Sequence, residues 1–183
     1  MREDWKKHLI DHGAEFEGDQ LRDYGNDERE RSVAVNGDVI CDLSHRGLLE
    51  IRGEDAQSFL QGQFGNDIRE VSATQSQLSS YSSPKGRAYA VFRVLLDRDA
   101  YLLDMTAERA EVVRKRLSMF VLRAQVMIEN AEDSRIRFGL SGPNAERYLS
   151  DALGGYPSAV DEVKTQGGVS VVRVPTMTHP RFE

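Results

Sequence analysis

The run Ser83-Pro84-Lys85-Gly86-Arg87-Ala88-Tyr89-Ala90-Val91-Phe92-Arg93-Val94-Leu95-Leu96 decides the fold. Its first four residues spell a type I turn: proline presets φ at the second position and glycine suits the fourth. From Arg87 onward the residues alternate with period two. Ala88, Ala90, Phe92, Val94 and Leu96 form one face, and Arg87, Tyr89, Val91, Arg93 and Leu95 form the other. Ten residues of alternation predict a strand whose first face packs on a core. The second face mixes cations, a ring and aliphatic groups, which suits solvent or a ligand. A turn of this kind needs a partner strand before it. The Ser/Gln-rich stretch from about Gln77, with Leu78 and Tyr81, is therefore read as the first arm of a hairpin rather than as disorder.

Outward from the hairpin, Asp97-Arg98-Asp99 turns the chain into a strand at 101–105. Thr106 then caps a helix over Ala107–Ser118, where Ala110, Val113, Leu117 and Phe120 recur at helical spacing and acids precede bases, the favourable dipole order. Upstream, 48–52 reads as a strand closed by Gly53, and Ala56–Gln61 as a short helix broken by residues 62–67. Asn36-Gly37, between 33–35 and Val39–Asp42, is a hairpin signal because both residues accept positive φ. Residues 1–12 suggest a short amphipathic helix, and 17–31, poor in apolar side chains, an exposed charged leader. Downstream come strands at 124–129 and 135–140. A helix opened by Gly142-Pro143 carries the stripe Ala145, Tyr148, Leu149, Ala152 and Leu153, and a last strand occupies Val169–Val174. The series predicts an α+β fold, antiparallel or mixed sheets with helices on one face.

Composition excludes several classes. The formal charge is −6 and the pI about 5.3, the wrong sign for a general nucleic-acid coat or a binder of anionic membranes. No apolar run approaches the ~20 residues of a membrane span, and the first residues lack the apolar core of a signal peptide. The single cysteine, Cys41, cannot form an intrachain disulfide. The expectation is a cytoplasmic chain with neither nucleic acid nor membrane as a direct partner.

The common catalytic signatures (G-x-x-x-x-G-K-[ST], G-x-G-x-x-G, H-E-x-x-H, G-x-S-x-G) are missing. His8 and His12 share a helical spacing but have no Cys or third His nearby. They read as two solvated histidines, and no metal site is assigned. Cys41 reads as a buried structural thiol. Ser44 and His45 are no dyad, since neighbours on a strand point to opposite faces. Asn66-Asp67 caps a turn or reads a heterocycle's donor–acceptor edge. Tyr81, Lys85, Arg87, Tyr89 and Arg93 gather cations and rings on one hairpin: an ordinary solvated strand face, or a surface for a flat anionic ligand.

Four motifs in order then carry a resemblance. Asp42-Leu43-Ser44-His45-Arg46-Gly47-Leu48-Leu49, Gly53-Glu54-Asp55-Ala56, Phe59-Leu60-Gln61-Gly62-Gln63-Phe64-Gly65-Asn66-Asp67 and Pro84-Lys85-Gly86-Arg87 resemble the folate-binding YgfZ family, kin of the T-protein (aminomethyltransferase) of the glycine cleavage system. Leu140-Ser141-Gly142-Pro143 is similar to a later family segment. The resemblance implies a cytoplasmic tetrahydrofolate-binding protein that supports iron–sulfur cluster assembly or repair and tRNA-modifying enzymes. It implies a ferredoxin-like subdomain at residues 54–130, part of a second subdomain at 32–53 plus 131–183, and an N-terminal helix and leader at 1–31.

Departures shape the expectation. The family's K-G-C-Y-x-G-Q-E segment is absent, so the chain reads as about half of a family member. Apolar faces at Leu140, Tyr148, Leu149, Val172 and Val174 are then expected to lack partners and to promote self-association. The family often has Thr at the position of Gly65. The T-protein's paired aspartates fall at Ala90 and Val91, which neither take a proton nor hold an amine. The leading reading is a non-catalytic folate-binding module whose ligand-facing residues are Asn66, Asp67, Tyr81, Arg87, Tyr89, Val91, Arg93 and Asp104, with Asp104 standing in for the missing carboxylate. Its partners are folate and iron–sulfur enzymes or assembly proteins. The alternatives are a folate-dependent aminomethyltransferase and a protein-interaction module with a vestigial pocket.

Overall fold

A computed structural model describes residues 1–183. In chain order its elements are α1 (Glu3–Asp11), β1 (Glu15–Glu17), β2 (Gln20–Asp23), α2 (Asp27–Asn36), β3 (Val39–Asp42), β4 (Arg46–Arg52), α3 (Ala56–Gln61), β5 (Gln77–Ser82), β6 (Ala88–Asp97), β7 (Ala100–Thr106), α4 (Ala107–Ser118), β8 (Met127–Asn130), β9 (Phe138–Ser141), α5 (Ala145–Leu153), β10 (Val163–Gln166), β11 (Val169–Val174) and β12 (Arg181–Phe182). A 3₁₀ turn, Ile68–Glu70, lies between α3 and β5. The elements form two compact units, one of Arg46–Glu132 and one of Met1–His45 with Asp133–Glu183.

The Arg46–Glu132 unit is an antiparallel sheet ordered β5-β6-β7-β4-β8. The hairpin forms as its turn residues require: the Gly86 amide donates to Ser83 O at 2.9 Å, and Gly86 has φ +74°. One sheet face carries Ala90, Phe92 and Val94 of β6, Leu103 and Met105 of β7, and Leu49 and Ile51 of β4. Ala110, Val113 and Leu117 of α4 and Phe59 and Leu60 of α3 pack into the same core, so the helical period of one element meets the strand period of another across a dry layer. The strand Arg46–Arg52, grouped by the sequence reading with the flanking segments, sits between β7 and β8 in this sheet.

The other unit holds a sheet ordered β10-β11-β12-β9-β3 and a two-stranded ribbon, β1-β2. α5 lays Ala145, Leu149 and Leu153 against Val171 and Phe182. Asp38 anchors the start of α5, accepting from the Asn144 amide and from Asn144 Nδ2, each at 2.8 Å. These bonds hold the Asp38 carboxyl below its ordinary pKa.

Several expectations change here. Residues 33–35 do not pair in a hairpin but finish helix α2. The Asn26 side chain accepts from the Arg29 amide, Glu30 reaches back to the Tyr24 and Asn26 amides, and Arg31 pairs with Asp27 one turn earlier. Capping and an i,i+4 pair outweigh the Asn-Gly signal. The expected leader, 17–31, contains the last residue of β1, all of β2 and the first half of α2. Gly167 and Gly168, both at positive φ, close a β10–β11 hairpin that sequence reading missed. Val172 and Val174 are not left uncovered; both are buried, and Val172 pairs with buried Val163. Leu140 and Leu149 pack on the α5 cluster, and of the five only Tyr148 is exposed.

Gly53 marks a constraint on the Arg46–Glu132 unit. Its φ is +127°, and an added Cβ would lie 1.9 Å from Gln125 O. The adjoining Asp55 carboxylate accepts from the Gln125 amide at 2.8 Å. Gly53→Ala is expected to cost about 3 kcal/mol or more, from backbone overlap plus strain. Gly86→Ala, where nothing lies within 4 Å, is expected to cost about 1 kcal/mol from its positive φ alone. Urea unfolding of the two variants checks the difference.

Candidate functional site

Strand register decides which side chains share a surface, because residues directly opposite point to the same face. Arg93 of β6 is opposite Asp104 of β7 and Leu78 of β5, and Val91 is opposite Ser80. Asp104 is in turn opposite Leu48 of β4. All of these lie on the sheet face away from α3 and α4. Arg93 is 5% exposed and Asp104 7%, whereas Val91 is 62% exposed. The face therefore runs from an accessible apolar end at Val91 and Leu78 to a buried ionic patch.

The patch is built from four side chains. Arg93 Nη1 donates to Ser76 Oγ at 2.9 Å, and Arg46 Nε donates to Asp104 Oδ1 at 2.6 Å. Buried charges persist only when paired and hydrogen-bonded. Beside them Leu48 and Leu102 bury with Ala131, and Leu95 packs on that cluster. Neither Arg46 nor Ser76 stands out as a site residue in the sequence. Arg46 lies inside the first of the four family motifs, but its contact with Asp104 spans 58 positions, beyond what local pattern reports.

The loop after α3 runs alongside β5. Phe64 bridges to Tyr81, and the Gly65 amide donates to Ser80 O at 3.0 Å. A Cβ on Gly65 would stand 3.2 Å from Ser80 Oγ, so glycine keeps this part of the face low.

The eight expected residues do not form one cluster. Val91, Arg93 and Asp104 share the face just described. Tyr89 does not: β6 bulges there, with Tyr81 opposite Ala90 and Ser82 opposite Ala88. The bulge breaks the alternation and turns Tyr89 toward the helix-side core, where its ring lies 5.4 Å from Tyr81 and 3.9 Å beneath the Arg116 guanidinium. Tyr81 is buried on that side, and desolvation raises its phenol pKa. Arg87 is exposed in the turn, with its amide on Ser83 Oγ. Asn66 is exposed, and Asp67 caps the 3₁₀ turn while pairing with Arg69 at 2.6–2.8 Å. Ala90 points into the core; Val91 alone of that pair reaches the open face.

Cys41 departs from its reading in part. The residue is exposed on edge strand β3, yet its Sγ fits into the space that a Gly139 side chain would fill, 2.8 Å from that Cβ position. Desolvation raises the thiol pKa, which keeps it protonated and a poor nucleophile.

A family model described as the GCVT N-terminal domain matches residues 14–165. The tRNA-modifying protein YgfZ of Colwellia psychrerythraea is 26% identical over 133 residues, 73% of this chain and 41% of that protein. An aminomethyltransferase of Exiguobacterium sibiricum is 30% identical over 142 residues, 75% of this chain and 39% of that protein. The chain thus spans about two fifths of the length of these curated relatives. The crystal structure of glycine cleavage system aminomethyltransferase T from Bartonella henselae superposes with a TM-score of 0.78 at 19% identity, covering 97% of this chain and 51% of that one. That likeness bears out the α+β fold.

Asp67 supplies a pH test of the loop beside the face. Its carboxyl pKa is lowered, first by the Arg69 side-chain hydrogen bond and then by the Arg69 amide. A carboxyl depressed in the folded state adds stability above its unfolded pKa and loses it as pH falls through the folded value. Asp67→Asn is therefore expected to be less stable than wild type at neutral pH, with the gap closing in acid below the ordinary carboxylate range. Urea midpoints of the two proteins across that range check it.

Proposed function

The chain belongs to the GCVT N-terminal domain family, and from that premise we propose that it is a tetrahydrofolate-binding, non-catalytic module of YgfZ type. In this reading it acts in the cytoplasm, supporting iron–sulfur cluster assembly or repair and tRNA-modifying enzymes. No helix is long and apolar enough to cross a membrane.

The observation that carries the reading is the face of Val91, Arg93 and Asp104. A reduced folate has a flat ring system with donors and acceptors on one edge and an anionic glutamate tail. The residues fit those demands: Val91 and Leu78 offer apolar wall, Arg93 and Arg46 donate only, and Asp104 accepts. A carboxylate set between two guanidinium-bearing residues on a mostly apolar surface suits a ligand of mixed polarity. When bound, tetrahydrofolate would supply a one-carbon carrier. The chain's own part is to hold it.

Holding without transfer is a consequence of residue chemistry. Val91 occupies the open face where the resemblance places a T-protein aspartate, and a valine cannot move a proton or fix an ammonium group. Asp104, paired with Arg46, is committed to a cation of the protein. Loss of a positioned acid–base group typically costs 10²–10⁴-fold in rate. The expected outcome is no release of ammonia and methylenetetrahydrofolate at rates typical of a working T-protein. Turnover at such rates would replace this reading with aminomethyl transfer.

Calorimetric titration with tetrahydrofolate tests binding directly. Arg93→Ala is expected to weaken binding about tenfold, roughly 1.4 kcal/mol. Because Arg93 is buried, its folding is checked by circular dichroism, and Val91→Trp at an exposed position serves as a second variant expected to obstruct the face. Arg98→Ala, in the β6–β7 turn, is expected to bind as wild type does. Equal affinity in wild type, Arg93→Ala and Val91→Trp would move the ligand to another surface, and no binding by wild type would sink the reading.

A further inference from the structure

Helix α1 carries a second group of side chains that the folate reading does not use. Trp5 fixes the helix to its own unit: its Nε1–H donates to Asp42 Oδ1 at 2.8 Å, its ring stacks on Phe138 at 6.3 Å, and Leu9 is buried beneath. On the exposed side, the His8 ring stacks on Trp5 at 5.2 Å, with only 13° between the planes. The His12 ring lies 4.2 Å from that of His8. Both histidines are exposed.

One hydrogen bond determines what this pair can do. His12 Nδ1 is 2.7 Å from the His8 carbonyl oxygen. A carbonyl oxygen only accepts, so Nδ1 carries the proton, and in the neutral ring the lone pair sits on Nε2. A backbone acceptor on one ring nitrogen that leaves the other as a ligand is the usual outer-sphere support of a metal-bound histidine. His8 is held in plane by Trp5. The pair stands at the C-terminal end of α1, where His12 is the cap residue and the helix dipole favours positive charge. Residues four apart on a helix meet on one side, and the two exposed rings, 4.2 Å apart, are both within one side-chain rotamer change of a common ion held at Zn–N distances of about 2.0–2.1 Å.

We propose that His8 and His12 form a two-imidazole site for a borderline divalent transition metal, of the Zn²⁺, Ni²⁺ or Cu²⁺ class, with water completing the coordination. Imidazole suits these ions, whereas Mg²⁺ and Ca²⁺ prefer oxygen ligands. No third His, Cys, Asp or Glu joins the pair, so the site is open: it binds reversibly and leaves positions for an external ligand. Every group the metal uses lies in the Met1–His45 and Asp133–Glu183 unit, and none belongs to the proposed folate face.

Trp5 is the single tryptophan and stacks on one of the ligands, so its fluorescence reports occupancy. The 183-residue chain, free of any histidine tag, is titrated with NiCl₂ at neutral pH, and Zn²⁺ is followed by competition. Saturable quenching at one Ni²⁺ per chain is expected, displaced by Zn²⁺ and not by Mg²⁺. His8→Ala and His12→Ala are each expected to weaken it at least about tenfold, while His45→Ala, His179→Ala and Cys41→Ser leave it unchanged. Both ligand positions are exposed, so these variants keep the fold, as circular dichroism would verify. Absence of saturable quenching in wild type, or unchanged affinity in the His8→Ala, His12→Ala double variant, would overturn the proposal.

Discussion

Strand β6 is hydrogen-bonded along both edges, to β5 and β7, and that pairing leaves its side chains only two directions. The register that sets Arg93 opposite Asp104 sends Phe92 and Val94 to the helices and Arg93 to the other face. A slip of one residue would exchange the two sets. It would set the Arg93 guanidinium among Phe59, Leu60 and Val113, away from Ser76 and Asp104, and take Phe92 and Val94 out of the core. Several kcal/mol separate those arrangements on burial alone, so the register is held by both faces at once. The ion pair of Arg46 with Asp104 extends the same constraint to β4.

The bulge at Tyr89 modifies this rule locally. One extra residue in β6 lets Tyr89 join Tyr81 and Phe64 on the helix side, under the Arg116 guanidinium. The ring that a strict alternation would place beside Val91 is thereby removed from the open face. The remaining surface is smaller and less aromatic, with Gly65 keeping the adjacent loop low against Ser80. A ligand on this face would be gripped mainly through charge and apolar contact rather than by stacking between rings.

The Met1–His45 and Asp133–Glu183 unit depends on carboxylates that join distant segments. Asp38 ties the approach to β3 to the first turn of α5, where Gly142, at φ +147°, brings the backbone so close that a Cβ would strike the Asp38 side chain. Asp42 accepts from Trp5 Nε1 and also from the Ser44 amide and hydroxyl. Each satisfies donors that would otherwise be left unmade, and each closes a long loop between segments far apart in sequence. The Asp42 bond to Trp5 also holds the aromatic–imidazole stack of α1 in place.

Elements with local signals were legible in the residues alone. The 83–86 turn, the β6 strand, the α4 stripe of Ala110, Val113 and Leu117, and the α+β class come from period and turn chemistry, which act over a few residues. The four ordered motifs likewise pointed to the family. Features that depend on pairing emerged only on folding. Asn36-Gly37 read as a hairpin, but Asn26 and Glu30 made the preceding residues helical. Tyr89 read as a neighbour of Arg93, but the register of β5 on β6 turned it away. Arg46 and Ser76 entered the ionic patch only because folding set them against Asp104 and Arg93. The His12 tautomer, too, rests on a contact that spacing alone does not report. Alternation along a chain says that two faces exist; the hydrogen-bonded partner strand fixes where each face begins and which side chains it gathers.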